Sequence, residues 1–408
     1  MNQMALPRSL SFWTQSKTVA ISIGLLVSLF ASVDQARAIE WIENSSFPIQ
    51  NSEALATAMT QTFSPTSENF GYANVPTSRG RKAPYSYGYI LRKHTDLVII
   101  LPGVGGTHQS KMTLRLGEIL RDRSGFHFLA VDSLFSQSFA NLISPDPFVG
   151  LTRDDADAMY DWLERVIADF KRRTGAKVRN IHLVGYSLGA LAVAHLKDVD
   201  DRKKSIGFDR VIMANPPIDL KYGIAVVDNF FLSSQQRSSA EMNPYLGFPY
   251  NVFEQKYEAE NKIWGGMDKV IYHFIGQVFH EDLAGVLRLI GADPLYSKYA
   301  TIKLSETFSR YVEAVLCPFV RDQRVQPGLP VGDLFDLADL RKLENLLARD
   351  PHIFLLHAKG DFLTRSTDWE WVDKTLGDRA KIFSYGGHLG YFLSEPGVSM
   401  IDRILKGI

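Results

Sequence analysis

Ile181-His182-Leu183-Val184-Gly185-Tyr186-Ser187-Leu188-Gly189-Ala190 is the stretch on which the reading of this chain turns. Ile181–Val184 is the kind of short apolar run that a strand buried on both faces carries, and Ala190–Leu196 continues as an apolar helix. Between them stands G-x-S-x-G with Ser187 at its centre. A strand that turns at once into a helix pinches the backbone at the middle residue. Glycines on either side leave room for the neighbouring strand and helix, and the strained serine projects its Oγ outward. The same residues could form a tight turn without chemistry, so the partners of Ser187 decide.

Upstream, Leu97–Leu101 reads as another buried strand and runs into Pro102-Gly103-Val104-Gly105-Gly106. Small residues there let backbone N–H groups approach a ligand oxygen. An oxyanion hole in this setting takes one N–H from this loop and one from the residue after the nucleophile. The assignments are Val104 and Leu188, with Gly105 as the alternative to Val104. Gly103, Gly105 and Tyr186 are expected to line the site. His108 has two readings, a helix start or a wall of the site. The glycines do not form a phosphate loop, because no Gly-Lys-Ser/Thr follows and G-x-G-x-x-G is absent.

Downstream, the remaining partners should follow in the order acid, then histidine. His352–His357 reads as a strand, and Asp361 stands just past its end. Asp219, after the Val211–Ala214 strand, competes for the same role. Asp132 falls too early in the order and reads as a helix cap or surface group. His388 lies 27 residues beyond Asp361 in Tyr385-Gly386-Gly387-His388, a glycine-rich loop after the last strand. His182 and His357 lie within strands and read as core residues. His273 and His280, seven apart in a helical stretch, are not read as metal ligands. Cys317, in an apolar run, reads as a small buried hydrophobe.

Strands at Tyr85–Leu91, Leu97–Leu101, Phe126–Val131, Ile181–Gly185, Arg210–Ala214, His352–His357 and Lys381–Ser384 alternate with helical patterns at Lys111–Arg121, Leu151–Arg173, Trp369–Leu376 and Leu389–Leu405. That rhythm predicts an α/β fold with a mostly parallel sheet covered on both faces. It is interrupted at 217–350, read as a mainly helical cap over the ligand edge, with a looser polar segment at Asn229–Asn243. The core is therefore split into 84–216 and 351–408. Residues 39–83 read as an irregular leader with one short helix near Ser52–Gln61. The cap carries Phe230, Phe231, Tyr245, Phe248, Tyr250, Phe253, Trp264, Tyr272, Phe274 and Phe279. These rings suit an apolar substrate, or the cap's own core.

Arg8 and Lys17 precede the apolar stretch Val19–Val33, and Ala36-Arg37-Ala38 follows. As a helix that stretch would span about 22 Å, against about 30 Å of hydrocarbon in a bilayer. Residues 1–38 therefore read as a cleaved signal peptide and the mature protein as periplasmic or extracellular. Forty-five basic residues balance forty-five acidic ones, which excludes the field expected of a nucleic-acid binder. Neither nucleic acid nor a stable membrane anchor is an expected partner. One cysteine excludes an intramolecular disulfide and a cysteine-based zinc site.

With HLVGYSLGA, the Asp361 loop and YGGHLGY in this order, the chain resembles the α/β-hydrolase superfamily over most of 85–406. Within it, the chain resembles bacterial lidded serine esterases of the YheT type, and Ala214-Asn215-Pro216-Pro217-Ile218-Asp219-Leu220 adds to the likeness. The resemblance implies a Ser187–His388–Asp361 triad that cleaves carboxylic esters through an acyl-enzyme, without metal or organic cofactor, on a small-molecule or lipid-like ester. A serine peptidase or amidase, a thioesterase or acyltransferase, and a non-catalytic binding module on the same fold are the competing classes.

Overall fold

The computed structural model describes residues 38–42, 70–76, 85–235, 267–323, 334–335 and 338–408; for 233–235 and 267–279 it describes the backbone alone. The expected helix at Ser52–Gln61, almost all of the expected signal segment and the cap residues 236–266 lie outside these residues. Among the described residues, no helix is long and apolar enough to cross a membrane.

Among the described residues, nine strands form one sheet: β1 Glu40–Ile42, β2 Gly71–Val75, β3 Tyr85–Ile90, β4 Asp96–Leu101, β5 His127–Ala130, β6 Asn180–Tyr186, β7 Phe208–Ala214, β8 Ile353–Ala358 and β9 Ala380–Phe383. Their spatial order is β1-β9-β8-β7-β6-β4-β5-β3-β2. The β2–β3 and β3–β5 pairs are antiparallel and the others parallel. The helices are α1 Lys111–Ser124, α2 Gln137–Leu142, α3 Thr152–Thr174, α4 Leu188–Lys203, α5 Leu220–Gln235 and α6 Met267–Ala292. They continue with α7 Phe308–Tyr311, α8 Cys317–Gln323, α9 Glu344–Arg349, α10 Asp368–Leu376 and α11 Glu395–Lys406.

Strand periodicity sorts the core into two layers, because alternate side chains leave opposite faces. Leu97, Ile99, Leu101, Leu183, Val211, Met213 and Leu355 pack with α3, α4 and the cap. Val98, Ile100, Val184, Ile212, Ala214 and Leu356 pack with α1 and α11. Cover on both faces explains why these strands are continuously apolar. With the turn at Ser187 and the split core, this is the α/β-hydrolase fold. The sheet's parallel carboxyl ends all point to one edge, where such folds place their ligands.

Three local expectations are corrected. The leader is not wholly irregular: β1 and β2 come from it and close the two edges of the sheet. At three and five residues they are too short for alternation to announce them. The polar segment starting at Asn229 begins as helix, since α5 runs on to Gln235. The last helix starts at Glu395, not Leu389. Ser394 accepts the Gly397 N–H as its cap and Pro396 sits in the first turn, where its missing donor costs nothing. Before it, Leu389, Tyr391, Phe392 and Leu393 are buried by a series of turns rather than by a helix face, with Leu389 at φ 66°.

Candidate active site

β6 ends at Tyr186 and α4 begins at Leu188, so Ser187 alone makes the turn, at φ 55° and ψ −128°. Few non-glycine residues adopt this region, and the surrounding packing holds it. A Cβ at Gly185 would lie 2.1 Å from the Gly189 carbonyl oxygen, and one at Gly189 would lie 2.3 Å from that of Leu101. Neither position has room for a side chain. Gly103 crosses the same point from β4, where a Cβ would sit 2.9 Å from the Ser187 Cβ. The Ser187 N–H donates to the Ala214 carbonyl at 2.8 Å, which ties the turn to β7.

The loop after β9 brings His388 over this turn, with Gly386 at φ 126° and Gly387 at φ 43°. His388 Nε2 lies 3.1 Å from Ser187 Oγ, and its Nδ1 lies 3.0 Å from both carboxylate oxygens of Asp361. That geometry assigns the proton to Nδ1 and leaves the Nε2 lone pair facing the serine hydroxyl. Asp361 is buried and also accepts from the Leu363 N–H at 2.9 Å and from Asn215 Nδ2 at 2.6 Å. Burial alone would raise the Asp361 carboxyl. His388, His357 and the Leu363 N–H outweigh it and hold the group down at about 2. Phe362 packs its ring 4.9 Å from the His388 ring.

Asn215 is a site residue that sequence reasoning did not single out. It stands directly after β7 at φ 51°, fully buried, and its amide also donates to the Gly387 carbonyl at 3.1 Å. One side chain thus holds both the acid and the histidine loop. His357, expected in the core, is buried beside the acid: its Nε2 lies 3.6 Å from Asp361 Oδ2 and 3.0 Å from Thr364 Oγ1. Asp219 is not brought to His388. It accepts the Tyr222 N–H at the start of α5 and pairs with Arg365 at 2.6 Å.

Val104 and Leu188 flank Ser187 in the wall of one cavity. Among the described residues neither N–H has a hydrogen-bond partner, whereas the Gly106 N–H closes a turn onto the Gly103 carbonyl. The Gly105 N–H acts on Asp282 of α6, a carboxyl that burial raises to about 6. His108 does not line the cavity. Its ring Nδ1 and its backbone N–H meet Asp132 Oδ1 at 2.7 and 2.6 Å. Asp132, expected at the surface or as a cap, is buried after β5 because Ser138 Oγ also donates to it. Next to it, the Ser133 N–H donates to the Gly106 carbonyl at 3.0 Å. The loop carrying Val104 is therefore tied down from β5. Tyr186 also points away from the cavity, its hydroxyl 2.8 Å from Thr113 on the opposite face.

The cavity is open to solvent at its mouth and extends from Ser187 beneath the cap. Its wall is mostly hydrocarbon: Phe135, Ile224, Val227, Phe308, Val312 and Leu316 among others. The last three lie along a helix with an inserted π turn, Val312–Leu316, between α7 and α8. Pro318 explains the irregularity. It has no N–H for the Ala314 carbonyl, which accepts from Thr301 Oγ1 at 3.1 Å instead. Of the cap rings, Phe230 reaches Phe362 at 5.3 Å. Phe231 is buried within the cap. Tyr245, Phe248, Tyr250, Phe253 and Trp264 lie outside the described residues, as do the side chains of Tyr272, Phe274 and Phe279. Among the described residues, no group of three His, Cys, Asp or Glu is placed to hold a metal.

No protein-family model matches the chain, and no curated protein matches it. Solved structures similar to it include an esterase of Pyrococcus furiosus, at 13% identity and TM-score 0.41 over 83% of this chain and 91% of that one. A thermostable carboxylesterase cloned from a metagenomic library gives 14% and 0.43 over 87% and 93%. A bacterial membrane phospholipase A gives 14% and 0.40 over 96% and 98%. Likeness of this degree leaves function to the geometry of the site.

Proposed function

We propose that this protein is a serine hydrolase that cleaves carboxylic esters of apolar acyl groups, with Ser187 as nucleophile, His388 as general base and acid, and Asp361 as the group that orients the imidazole and stabilises its charged form. The observation that carries this reading is Ser187 Oγ, 3.1 Å from His388 Nε2, opening onto a hydrocarbon-walled cavity.

Ser187 Oγ attacks the ester carbonyl carbon as its proton passes to His388 Nε2. The negative charge that develops on the carbonyl oxygen is met by the N–H groups of Val104 and Leu188 and by the amino end of α4. The carbon–oxygen bond to the alcohol then breaks, and the alcohol leaves with the proton from His388. Water gives a proton to the same nitrogen, attacks the acyl-enzyme and releases the acid as Ser187 regains its proton. Asp361, held in its charged form, stabilises the imidazolium in both halves.

The test is hydrolysis of p-nitrophenyl esters from two to sixteen carbons by the wild type and Ser187→Ala. The variant is expected to lose four to six orders of magnitude in kcat, on the order of the losses typical of this mechanism. A wild type that cleaves none of them and is not labelled by a fluorophosphonate would sink the proposal.

The proposal includes export, with cleavage after Ala38. It is supported by Asp373 Oδ1, 2.8 Å from the Ile39 backbone nitrogen. A new amino terminus at Ile39 would form there as a cation beside a carboxylate. Amino-terminal sequencing of the secreted protein should begin at Ile39; retention of Met1 would remove this part of the proposal.

A further inference from the structure

We infer that the cavity wall at the start of α3 is a subsite for an uncharged oxygen on the acyl chain, formed by Asp155 with Thr152, so that the preferred substrates are esters of hydroxyacyl chains. The inference rests on the ester-hydrolase reading for its reaction but on the cavity and the burial of Asp155 for its ligand.

Apart from Ser187, the polar side chains among the described lining residues are Thr152, Asp155 and Tyr311. The Tyr311 hydroxyl is already engaged, donating to the Val149 carbonyl at 3.0 Å and accepting the Val149 N–H at 3.3 Å. Thr152 and Asp155 stand three residues apart in the first turn of α3 and so share one face.

Asp155 is 3% exposed, and no Lys, Arg or His pairs with it among the described residues. One of its oxygens accepts the Gly150 N–H at 2.8 Å. Burial raises its carboxyl to about 8, against the pull of the Gly150 and Leu151 N–H groups. At neutral pH the group is therefore an acid with a proton to donate. Both backbone partners are themselves donors and cannot take that proton. Among the described residues no side chain hydrogen-bonds to Asp155, and the space it borders is the cavity, so an oxygen of the ligand can take the proton. A plain alkyl chain would leave a buried donor unpaired, which a hydroxyl oxygen corrects. A charged head group does not fit, since among the described lining residues no cation stands there to meet it.

The test compares kcat/KM of the full chain on p-nitrophenyl decanoate with the 3-, 6- and 9-hydroxydecanoates. One hydroxy ester is expected to exceed decanoate by about tenfold, the effect of one desolvated hydrogen bond. Asp155→Asn keeps an acceptor for Gly150 and a donor for the ligand, and should retain part of that ratio. Asp155→Leu should reverse it in favour of decanoate. A wild type without preference overturns the subsite, whatever the folding of the variants. Binding of the corresponding methyl esters to Ser187→Ala, read by displacement of a fluorescent fatty acid, separates the two readings. Selective binding with no hydrolysis by the wild type would keep the subsite and sink the hydrolase. Hydrolysis with equal binding of all four esters would do the reverse.

Discussion

Asp361 and Asp132 follow two strands of the same sheet, β8 and β5, at its carboxyl edge. Each is buried and each clasps an imidazole through Nδ1, at 3.0 Å for His388 and 2.7 Å for His108. In both, burial pushes the carboxyl up and the ring with its neighbouring donors pulls it below its ordinary value. The far nitrogen makes the difference. In His388 it meets the Ser187 hydroxyl; in His108 it is buried without a hydrogen-bond partner among the described residues. Among the described residues nothing there can be deprotonated, so the second pair anchors a loop. An imidazole–carboxylate pair is thus a common part with two uses, decided by what stands beyond the ring.

The same chemical edit at the two acids tests that distinction most strongly. Asp361→Asn should cost about four orders of magnitude in kcat, because a neutral amide neither stabilises the imidazolium nor enforces its tautomer. Above pH 4 the wild type should also be the more stable of the two. A carboxyl whose folded value is depressed stabilises the fold above its ordinary value, and that term is lost as pH falls toward 2. An Asp361→Asn enzyme within tenfold of wild type would place the acid elsewhere.

Asn215→Gly comes next, at about ten- to a hundredfold in kcat. Glycine accepts φ 51° freely, so the loss reports the missing amide and its charge-assisted bond to Asp361 rather than backbone strain. An unchanged rate would mean that the Leu363 N–H and His388 hold the acid unaided.

Asp132→Asn should cost no more than about tenfold, in kcat with KM unchanged. The amide keeps an acceptor for the His108 N–H but loses the charge that ties down the loop carrying Val104, and the oxyanion contact is made only in the transition state. A loss equal to that of Asp361→Asn would erase the distinction between the two pairs.

How far each of these residues was legible follows from how local its signal is. Ser187 is announced by a strand, a turn and a helix within sixteen residues, and Asp361 and His388 by chain order and placement after strands. Asp219 had the same local credentials as Asp361, and only the packing of α5 and Arg365 removed it. Asn215 is legible in outline, as an Asn-Pro step at a strand end, but its partners lie 146 and 172 residues away. Asp132 read as peripheral because its burial depends on His108 and Ser138, which no periodicity connects to it. The turns at 389–393 read as helix because burying most of a run hides its period. The cavity wall was least legible, being drawn from β5's loop, the start of α3, α5 and the irregular 308–316 stretch.

A third buried carboxyl sharpens the comparison by lacking the imidazole altogether. Among the described residues Asp155 has backbone donors but no cation beside it, and burial, with the Asp146 charge adding to it, raises it to about 8 where the two paired acids are lowered. The sign of its contribution follows. Between about pH 4 and pH 8 the unfolded chain has released this proton and the folded chain has not, so the folded state binds more protons and stability declines with pH. One group contributes a slope of at most about 1.4 kcal/mol per pH unit. Asp155→Asn cannot ionise and keeps the Gly150 bond. The Tm of the variant minus that of the wild type should therefore grow steadily from pH 5 to pH 8 and level off above. A constant difference would mean that Asp155 ionises as readily as an exposed acid, and that burial without a cation does not set the three carboxyls apart.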